Sequence, residues 1–435
     1  MLLAKQLHHL PQNNMQVFNG KNFTVAWFLA KRQIMRSNRY TTALIVFIMT
    51  LTFLNLVVVS GILIGLIVGG NVANRNQYTG DLIVKTIAGK QAIEHSYDIS
   101  ATLAAMPEVQ YISARYFENG QIEANYKTRR DFSAIADTAG TQITGIDITD
   151  EEALSHISNY VVEGNFLNAN ESGKILIGSN LLHRFSAAFG DAFASMEGVY
   201  PGDEVKVTIG GSTKQFIVQG IVKTKVNEVS LRAFVTKEDF LRLVDRPGLN
   251  ANEIAVTLKP GTTLTADQLK TRLVVSGFGN DGNIQTATEA IPEFLNQIKL
   301  AFGLLGNVIG FIGIIVASIT IFIVIFINAV TRRKYIGIMK GIGISAKAIE
   351  YSYVLQSIFY ACIGGIVGMA IIYGLLIPTF AAHPIDFPFS DGILVAPFGG
   401  TMFKFGLLML VTLIAGYIPA RMIVKKNTLD SILGR

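Results

Sequence analysis

The chain has 435 residues, of which 50% are hydrophobic and only 16% are charged, and its mean hydropathy is +0.42. This composition excludes an ordinary soluble protein and is too polar for a chain that lies wholly in a membrane, so it indicates membrane spans joined to a folded aqueous domain. The single cysteine, Cys362, excludes an intrachain disulfide, and the six histidines show no metal-ligand spacing. Residues 70–299 hold 21 Lys and Arg against 27 Asp and Glu, whereas the rest of the chain holds 16 against four. This asymmetry indicates a membrane topology and not nucleic-acid binding.

The N-terminal segment, residues 1–40, is expected to lie in the cytoplasm. Its first 20 residues are polar and irregular, and the apolar run that follows is too late and too long for a cleaved signal peptide. Residues 23–39 have the pattern of an amphipathic helix at the inner membrane surface, although a basic flank of the first span is an alternative. The apolar positions of this pattern are Phe23, Trp27, Ala30 and Ile34, and the basic ones are Lys31, Arg32, Arg36 and Arg39.

Four apolar runs are long enough to cross a bilayer, which takes about 20 residues. They predict transmembrane helices over residues 41–69, 300–330, 355–377 and 402–420, with a short outer loop at 378–401 and a basic tail at 421–435. Small residues spaced by four let helices approach closely. The glycines expected to pack helices in this way are Gly61, Gly65, Gly69, Gly306, Gly310, Gly364 and Gly368.

Residues 70–299 are polar and contain short β-like runs, helical patterns and turn signals. The predicted strands lie at 81–86, 109–114, 174–178, 204–209, 215–222 and 253–258, and the predicted helices lie at 99–106, 151–160 and 237–244. The expected fold class is therefore an α-helical membrane protein with four transmembrane helices and a large α+β extracytoplasmic domain inserted between helices 1 and 2. The length of that domain allows two subdomains.

The basic residues predict the orientation of the chain. Outside residues 70–299, fifteen of the sixteen Lys and Arg residues precede the first span, separate the second and third, or follow the fourth. By the positive-inside rule, both termini and the connector at 331–354 are cytoplasmic, and residues 70–299 lie outside. We therefore expect a multi-pass protein of the plasma (inner) membrane.

The connector is basic, glycine-rich and apolar. Its first basic residues suit the anionic inner membrane surface, and its glycines permit tight turns. A short helix is expected here, with Ser345 as the cap of the next helix. Such a helix can dock in a groove of a soluble partner, and an ordinary basic loop is the alternative. Its apolar residues are Ile336, Ile338, Met339, Ile342 and Ile344.

The connector resembles the signature of the FtsX-like permease family, ABC transporter permeases of the MacB type. Residues 417–421, YIPAR, are similar to the ending of that family, and residues 163–167, 175–178 and 202–205 are similar to the pattern of its periplasmic core domain. The chain departs from the family at Tyr335, where the family has an acidic residue, and at Gly341, where it has alanine.

The resemblance implies that the connector seats on a separate cytoplasmic ABC ATPase, whose cycle moves the spans and the outer domain, a mechanism called mechanotransmission. No G-x-x-x-x-G-K-[ST] motif occurs in the sequence, so no cofactor and no enzyme activity are expected on this chain, and ATP and Mg are expected on the partner. Expected partners are also a second permease copy or paralogue in a dimer, the lipid bilayer and an extracytoplasmic adaptor, but no nucleic acid. The predicted ATPase-coupling residues are Arg332, Arg333, Tyr335, Ile336, Gly337, Met339, Lys340, Gly341, Gly343 and Ser345.

Several functions fit this architecture. The leading hypothesis is a permease that exports or extracts a substrate, such as a peptide, a drug-like amphiphile or a lipoprotein. Alternatives are a regulator of an outer-face cell-wall enzyme, as in FtsX itself, and a membrane-anchored sensor or scaffold without an ATPase. A secondary transporter would need inverted repeats or broken, charged helices, which the sequence does not show.

Overall fold

The computed structural model describes residues 20–127, 136–186, 195–244, 250–392 and 394–425. The residues before 20 and the part of the predicted tail from 426 lie outside the described residues. The chain forms two compact units. We call Met1–Gly65, Leu300–Pro384 and Ile393–Arg435 the helical unit, and Leu66–Lys299 and Ile385–Gly392 the sheet unit.

The described elements follow one another along the chain with short connections. The helices are α1 Gly20–Met35, α2 Arg39–Asn74, α3 Ser96–Ala104, α4 Ile148–Ser155, α5 His183–Ser186, α6 Asn227–Ser230, α7 Lys237–Val244, α8 Ala266–Val275, α9 Glu293–Thr331, α10 Arg333–Gly341, α11 Ala346–Ile371, α12 Ile377–Ala382 and α13 Phe398–Val424. The strands are β1 Leu82–Lys85, β2 Val109–Glu123, β3 Thr138–Ile146, β4 Val161–Gly164, β5 Lys174–Gly178, β6 Glu204–Ile209, β7 Ser212–Val222, β8 Arg232–Thr236, β9 Glu253–Leu258, β10 Asn283–Thr286, β11 Ile385–Phe387 and β12 Ser390–Gly392.

Four helical segments of the described chain are long and apolar enough to cross a membrane, and each contains one of the predicted spans. They are Arg39–Thr79, Asn296–Thr331, Ala346–Ala382 and Phe398–Val424. A helix satisfies its backbone polar groups internally, which is why long uncharged runs adopt it in an apolar medium. Inside the helical unit, α2, α9, α11 and α13 contribute to one buried cluster, for example through Met49, Ile321, Tyr360 and Ala415.

The N-terminal helix α1 packs along α11 through its small residues. Ala26 and Ala30 are buried, whereas Phe23 and Trp27 are 42% and 58% exposed. The Gln356 side chain donates a 2.5 Å hydrogen bond to Gln33 and ties the two helices together. Small alanines allow the close approach of two helices, so the large aromatic side chains are left pointing outward.

The sheet unit is built on a mixed sheet with strand order β10-β1-β9-β2-β3-β8-β5-β7-β4 among the described residues, and β6 pairs with β2 and β7. The pairs β3–β8 and β5–β7 are parallel, and the other pairs are antiparallel. The long strand β2 pairs with β9 through its first half and with β3 and β6 through its second half.

Two hydrophobic clusters of the sheet unit meet at β2. Val109 belongs to a cluster with β1, β9, α3 and α8, and Ile122 belongs to a cluster with β3, β5, β6, β7 and β8. Tyr116, between them on the same strand, packs against both clusters. The strand therefore joins the two cores.

The sequence predictions for this unit are confirmed in part. Strands β5, β6 and β9 and helix α7 have the predicted bounds. The helix predicted at 151–160 is wrong in its bounds, because α4 begins after the N-cap Asp147 and ends at His156, whose φ of 50° breaks the helix. Strands β3, β4, β8 and β10 and helix α8 were not predicted.

Candidate functional site

The connector forms a short helix that ends in a tight turn. α10 follows α9 after Arg332 alone and ends in a turn in which the Ile344 amide donates to the Met339 carbonyl over 3.0 Å. Gly343 has a φ of 94°, a conformation that glycine adopts without a Cβ penalty at helix ends. Ser345 then caps α11, since its hydroxyl oxygen accepts from the Ala348 amide over 3.2 Å. The predicted helix and cap are confirmed.

α10 has an inner face and an outer face. Ile336 is 1% exposed and Gly337 is also buried, and both lie inside the helical unit. Tyr335, Ile338 and Ile342 are 67%, 44% and 73% exposed. The half-buried members of the predicted set are Arg332, Arg333, Met339 and Lys340, and the exposed ones are Gly341, Gly343 and Ser345.

The separation of α10 into a buried and an exposed face limits the part of the helix that a partner can contact. Ile336 and Gly337 support α10 from within, so they hold the helix instead of contacting a partner directly. Ile338 and Ile342 are outside the predicted coupling set, yet they supply exposed apolar surface. Their helical spacing, four residues apart, is the sequence signal that could have marked one outward face.

The helix-packing prediction is right for Gly364 and Gly368, which lie tightly against α2, but wrong for Gly61 and Gly69, which lie against residues 390–395 and not against a helix. A Cβ on Gly364 would lie 2.5 Å from the Met49 Cβ, and one on Gly368 would lie 2.6 Å from the Phe53 ring, so α11 and α2 touch closely. A Cβ on Gly61 would lie 2.7 Å from Leu394. The remaining members are Gly69, 2.3 Å from the Ser390 hydroxyl by the same measure, Gly306 and Gly310, each 3.4 Å from a leucine methyl, and Gly65, which is buried.

A two-stranded hairpin from the predicted outer loop belongs to the sheet unit. β11 and β12 pair from Ile385 opposite Gly392 to Phe387 opposite Ser390. Lys225 forms ion pairs with Asp386 and Asp391, the latter at 3.1 Å, and its ammonium donates to the Phe387 carbonyl over 2.8 Å. The Lys225 partner holds the pKa of Asp386 below its usual range. The lysine therefore holds both strands of the hairpin.

A buried charge network lies at the centre of the sheet unit. Arg115 donates to Glu151 through two hydrogen bonds of 2.7 and 2.8 Å, and Arg232 donates to Glu253 through two of 2.9 and 3.0 Å. The Tyr78 hydroxyl donates to Glu253 over 2.6 Å. Burial raises the pKa of Glu253, but the charges of Arg232 and Arg115 outweigh it and bring that pKa to about 2.

The pairing in this network leaves the carboxylates ionised and fully engaged, which indicates a structural role. Among the described residues, no group of three His, Cys, Asp or Glu side chains is arranged to hold a metal ion.

Residues 307–428 match the family model described as FtsX-like permease C-terminal. The uncharacterized ABC transporter permease MJ1507 of Methanocaldococcus jannaschii is 25% identical over 282 residues, 63% of this chain. The macrolide export ATP-binding/permease protein MacB of Haemophilus ducreyi is 26% identical over 41% of this chain, and the ABC transporter permease YtrF of Bacillus subtilis is 26% identical over 45% of it. The chain spans 65%, 25% and 46% of the lengths of these three relatives, respectively.

Two solved structures are similar to parts of the chain. The periplasmic region of MacB from Actinobacillus actinomycetemcomitans matches 48% of this chain and 88% of that structure, with 15% identity and a TM-score of 0.32. The extracellular domain of the ABC-type transporter YknZ from Gram-positive bacteria matches 47% of this chain and 97% of that structure, with 12% identity and a TM-score of 0.29. The family model and the sequence relatives confirm the resemblance stated from the connector, since residues 307–428 match the FtsX-like permease C-terminal model and the relatives are ABC transporter permeases.

Proposed function

We propose that the chain is the permease subunit of a MacB-type ABC transporter and that a separate cytoplasmic ATPase docks on α10. The observation that carries the proposal is the outer face of α10, on which Tyr335, Ile338 and Ile342 are exposed at the end of an apolar helix. This face lies within the part of the chain that matches the FtsX-like permease model. A short helix with an exposed apolar face fits a groove in a soluble partner.

The proposal assigns the binding of ATP to that partner. The related protein of Haemophilus ducreyi is named as an ATP-binding/permease protein, and this chain spans 25% of its length. The printed sequence contains no phosphate-binding G-x-x-x-x-G-K-[ST] motif. In the proposed mechanism, ATP and Mg bind the ATPase, whereas this chain supplies the membrane helices and the domain that they move.

The proposed orientation follows the basic residues. Both ends of the chain and α10 face the cytoplasm, and the sheet unit lies outside the membrane. The chain passes between the two units within α2, since residues up to Gly65 belong to the helical unit and residues from Leu66 to the sheet unit. A displacement of α10 by the ATPase is passed along the helical unit and moves the sheet unit, which acts on a substrate at the outer face.

The test uses the tagged full chain, purified in mild detergent from its native cell, with mass spectrometry of the proteins that accompany it. Ile342→Asp places a charge on the exposed face of α10 and is expected to remove a protein carrying the phosphate-binding motif. Met339 is half-buried against the helical core, so an aspartate there would disturb the fold and makes a poorer test.

The matched control is Met35→Asp, which adds the same charge at a side chain 75% exposed on α1. Retention of the ATPase in this variant, with its loss in Ile342→Asp at unchanged membrane yield, supports docking on α10. If no ATPase accompanies the wild type, or if Ile342→Asp retains it fully, the docking proposal is wrong and a sensor or scaffold takes its place.

A further inference from the structure

A cavity of about 400 Å³ lies in the helical unit between α1, α10 and α11. Arg32 lines it from α1, Arg36 from the turn that follows α1, and Arg332 from the junction of α9 and α10. Leu29 and Met339 contribute apolar walls, and Tyr353 contributes an aromatic wall from α11. The cavity thus combines three cations with apolar surface.

The three arginines converge without an anion between them. Arg32 and Arg36 are one helical turn apart, and Arg332 joins them from a different element. Within the described residues, none of these guanidinium groups forms an ion pair or a side-chain hydrogen bond. Guanidinium groups recognise phosphate through pairs of parallel hydrogen bonds, so the cluster has the chemistry of a phosphate site.

Tyr353 provides an independent sign of a missing ligand. Its side chain is 1% exposed, and its hydroxyl has no hydrogen-bond partner among the described groups. Buried hydroxyls in folded proteins normally have a partner, because an unpaired one loses its hydration without compensation. A ligand oxygen in the cavity would supply that partner.

The residues around the cavity indicate that its phosphate ligand has an apolar tail. Trp27 and Phe28 on α1 are each 58% exposed, and aromatic side chains of this kind concentrate at membrane interfaces. Apolar walls beside three cations suit an amphiphile with an anionic head better than a fully hydrated ion. The segments on either side of the cavity precede or follow membrane-spanning helices, which keeps it near the headgroup region.

We propose that this cavity binds the headgroup of an anionic phospholipid of the inner leaflet. Its phosphodiester accepts hydrogen bonds from Arg32, Arg36 and Arg332, the Tyr353 hydroxyl donates to it, and an acyl chain lies against Leu29. Lipid binding at this site does not require the ATPase, although Arg332, Tyr335 and Met339 of the lining belong to the predicted coupling set. Because α10 forms one wall, a bound lipid ties the connector to α1 and makes its mobility dependent on membrane composition.

The experiment titrates the full chain in neutral detergent with phosphatidylglycerol and counts bound lipid by native mass spectrometry. Phosphatidylcholine serves as the neutral lipid and inorganic phosphate as the competing free anion. We expect saturable binding of one phosphatidylglycerol at tenfold or higher preference over phosphatidylcholine. The double variant Arg32→Gln, Arg36→Gln is expected to weaken it about tenfold or more, since each removed charge weakens a charge-assisted contact.

The control double variant Lys31→Gln, Arg39→Gln removes the same charge from the same segment without altering the cavity lining, and it should bind as the wild type does. Tyr353→Phe keeps the packing and should weaken binding less than the arginine pair does. Equal loss in both double variants would overturn the proposal in favour of general surface electrostatics. Displacement of the lipid by equimolar inorganic phosphate would also overturn it, because the site would then recognise a free anion.

Discussion

Individual residues matter most where charges are buried. Arg115, Arg232, Glu151 and Glu253 are each at most 7% exposed, yet all four are charged and paired. Removing water from such groups is costly, and the hydrogen-bonded geometry of the pairs offsets that cost. The guanidinium groups of both arginines also lie over the Tyr78 ring, at 4.9 and 5.6 Å from its centroid. Tyr78, at the end of the first apolar helical segment, is thus held by charged side chains from β2, β8 and β9.

We predict that Glu253→Gln destabilises the sheet unit strongly. The variant leaves Arg232 buried with a neutral partner, and breaking a buried pair from one side costs about 3–5 kcal/mol. This loss is measured by urea unfolding of the full chain. Hydrogen exchange of peptides from β8 and β9 reports the unfolding of the sheet unit. Glu94→Gln is the control, since its pair with Lys90 is solvent-exposed and contributes less than about 1 kcal/mol.

The pH dependence of the unfolding free energy tests the same prediction in a second way. The pKa of Glu253 falls from its ordinary 4.5 to about 2 in the folded chain, so its stabilisation is present above pH 4.5 and disappears as the pH approaches 2. The difference in unfolding free energy between wild type and Glu253→Gln should therefore shrink across that interval. A difference that stays constant down to pH 2 would show that the loss is one of packing and not of charge.

At the scale of elements, the helical unit depends on how closely its helices approach. α11 carries two glycines at positions where any side chain would collide with α2, whereas Gly406 of α13 has nothing within 4 Å of its missing Cβ. The Thr50 hydroxyl also donates to the Gly364 carbonyl over 3.1 Å, so the same contact carries a hydrogen bond. The same Gly→Ala substitution should therefore lower the stability of the helical unit on α11 and not on α13.

We predict that Gly364→Ala destabilises the helical unit by about 1–3 kcal/mol, because the added methyl overpacks the contact with Met49. Gly406→Ala should be neutral or stabilising, since alanine favours a helix over glycine by up to about 1 kcal/mol. Thermal unfolding of the purified chain in detergent compares the two variants. A lower melting temperature for Gly406→Ala than for Gly364→Ala would contradict the packing shown by α11 and α2.

The hairpin β11–β12 allows a second test at this scale. Lys225→Gln removes the one cation that joins Asp386, Asp391 and the Phe387 carbonyl. Because both carboxylates are largely exposed, each pair contributes less than about 1 kcal/mol, and amide exchange in the hairpin should rise about two- to tenfold. Hydrogen-exchange mass spectrometry of residues 385–392 measures this.

Lys223→Gln removes the same charge two residues away, where it acts on Asp386 only through its charge, and should accelerate that exchange less than Lys225→Gln does. If the two variants accelerate exchange equally, the hairpin responds to net charge and not to the Lys225 contacts. The predicted outer loop contains acidic residues and prolines but no Lys or Arg, so the lysine that holds it could not be identified from the loop sequence. That partner is 161 residues away along the chain from Asp386.

At the scale of the whole molecule, the sequence predicts local features well and distant contacts poorly. Hydropathy locates the four apolar helices, because a long uncharged run has few alternatives to a helix. The missed helix α8 had a signal in the capping box of Thr265 and Gln268, whereas β3 and β8 gain their strand conformation by pairing with each other across the sheet. Such tertiary pairing overrides weak local propensity.

The candidate site shows the same limit. Gly343 predicts the turn that ends α10, and Ser345 predicts the cap of α11, since both features depend on residues that are neighbours in the sequence. The burial of Ile336 could not be predicted, because it depends on helices brought together only by the fold. The cavity could not be predicted for the same reason, because its three arginines come from two segments about 300 residues apart in the sequence.

The strand β2 has a mechanical consequence for the sheet unit. Its first half is hydrogen-bonded to β9 and its second half to β3 and β6, and one unbroken backbone runs between the two cores. Because the ladders to β9 and to β3 share only Arg115, a movement of one core relative to the other has to bend β2 or break hydrogen bonds at this residue. The middle of β2 is therefore the point through which a load on one of these cores passes to the other.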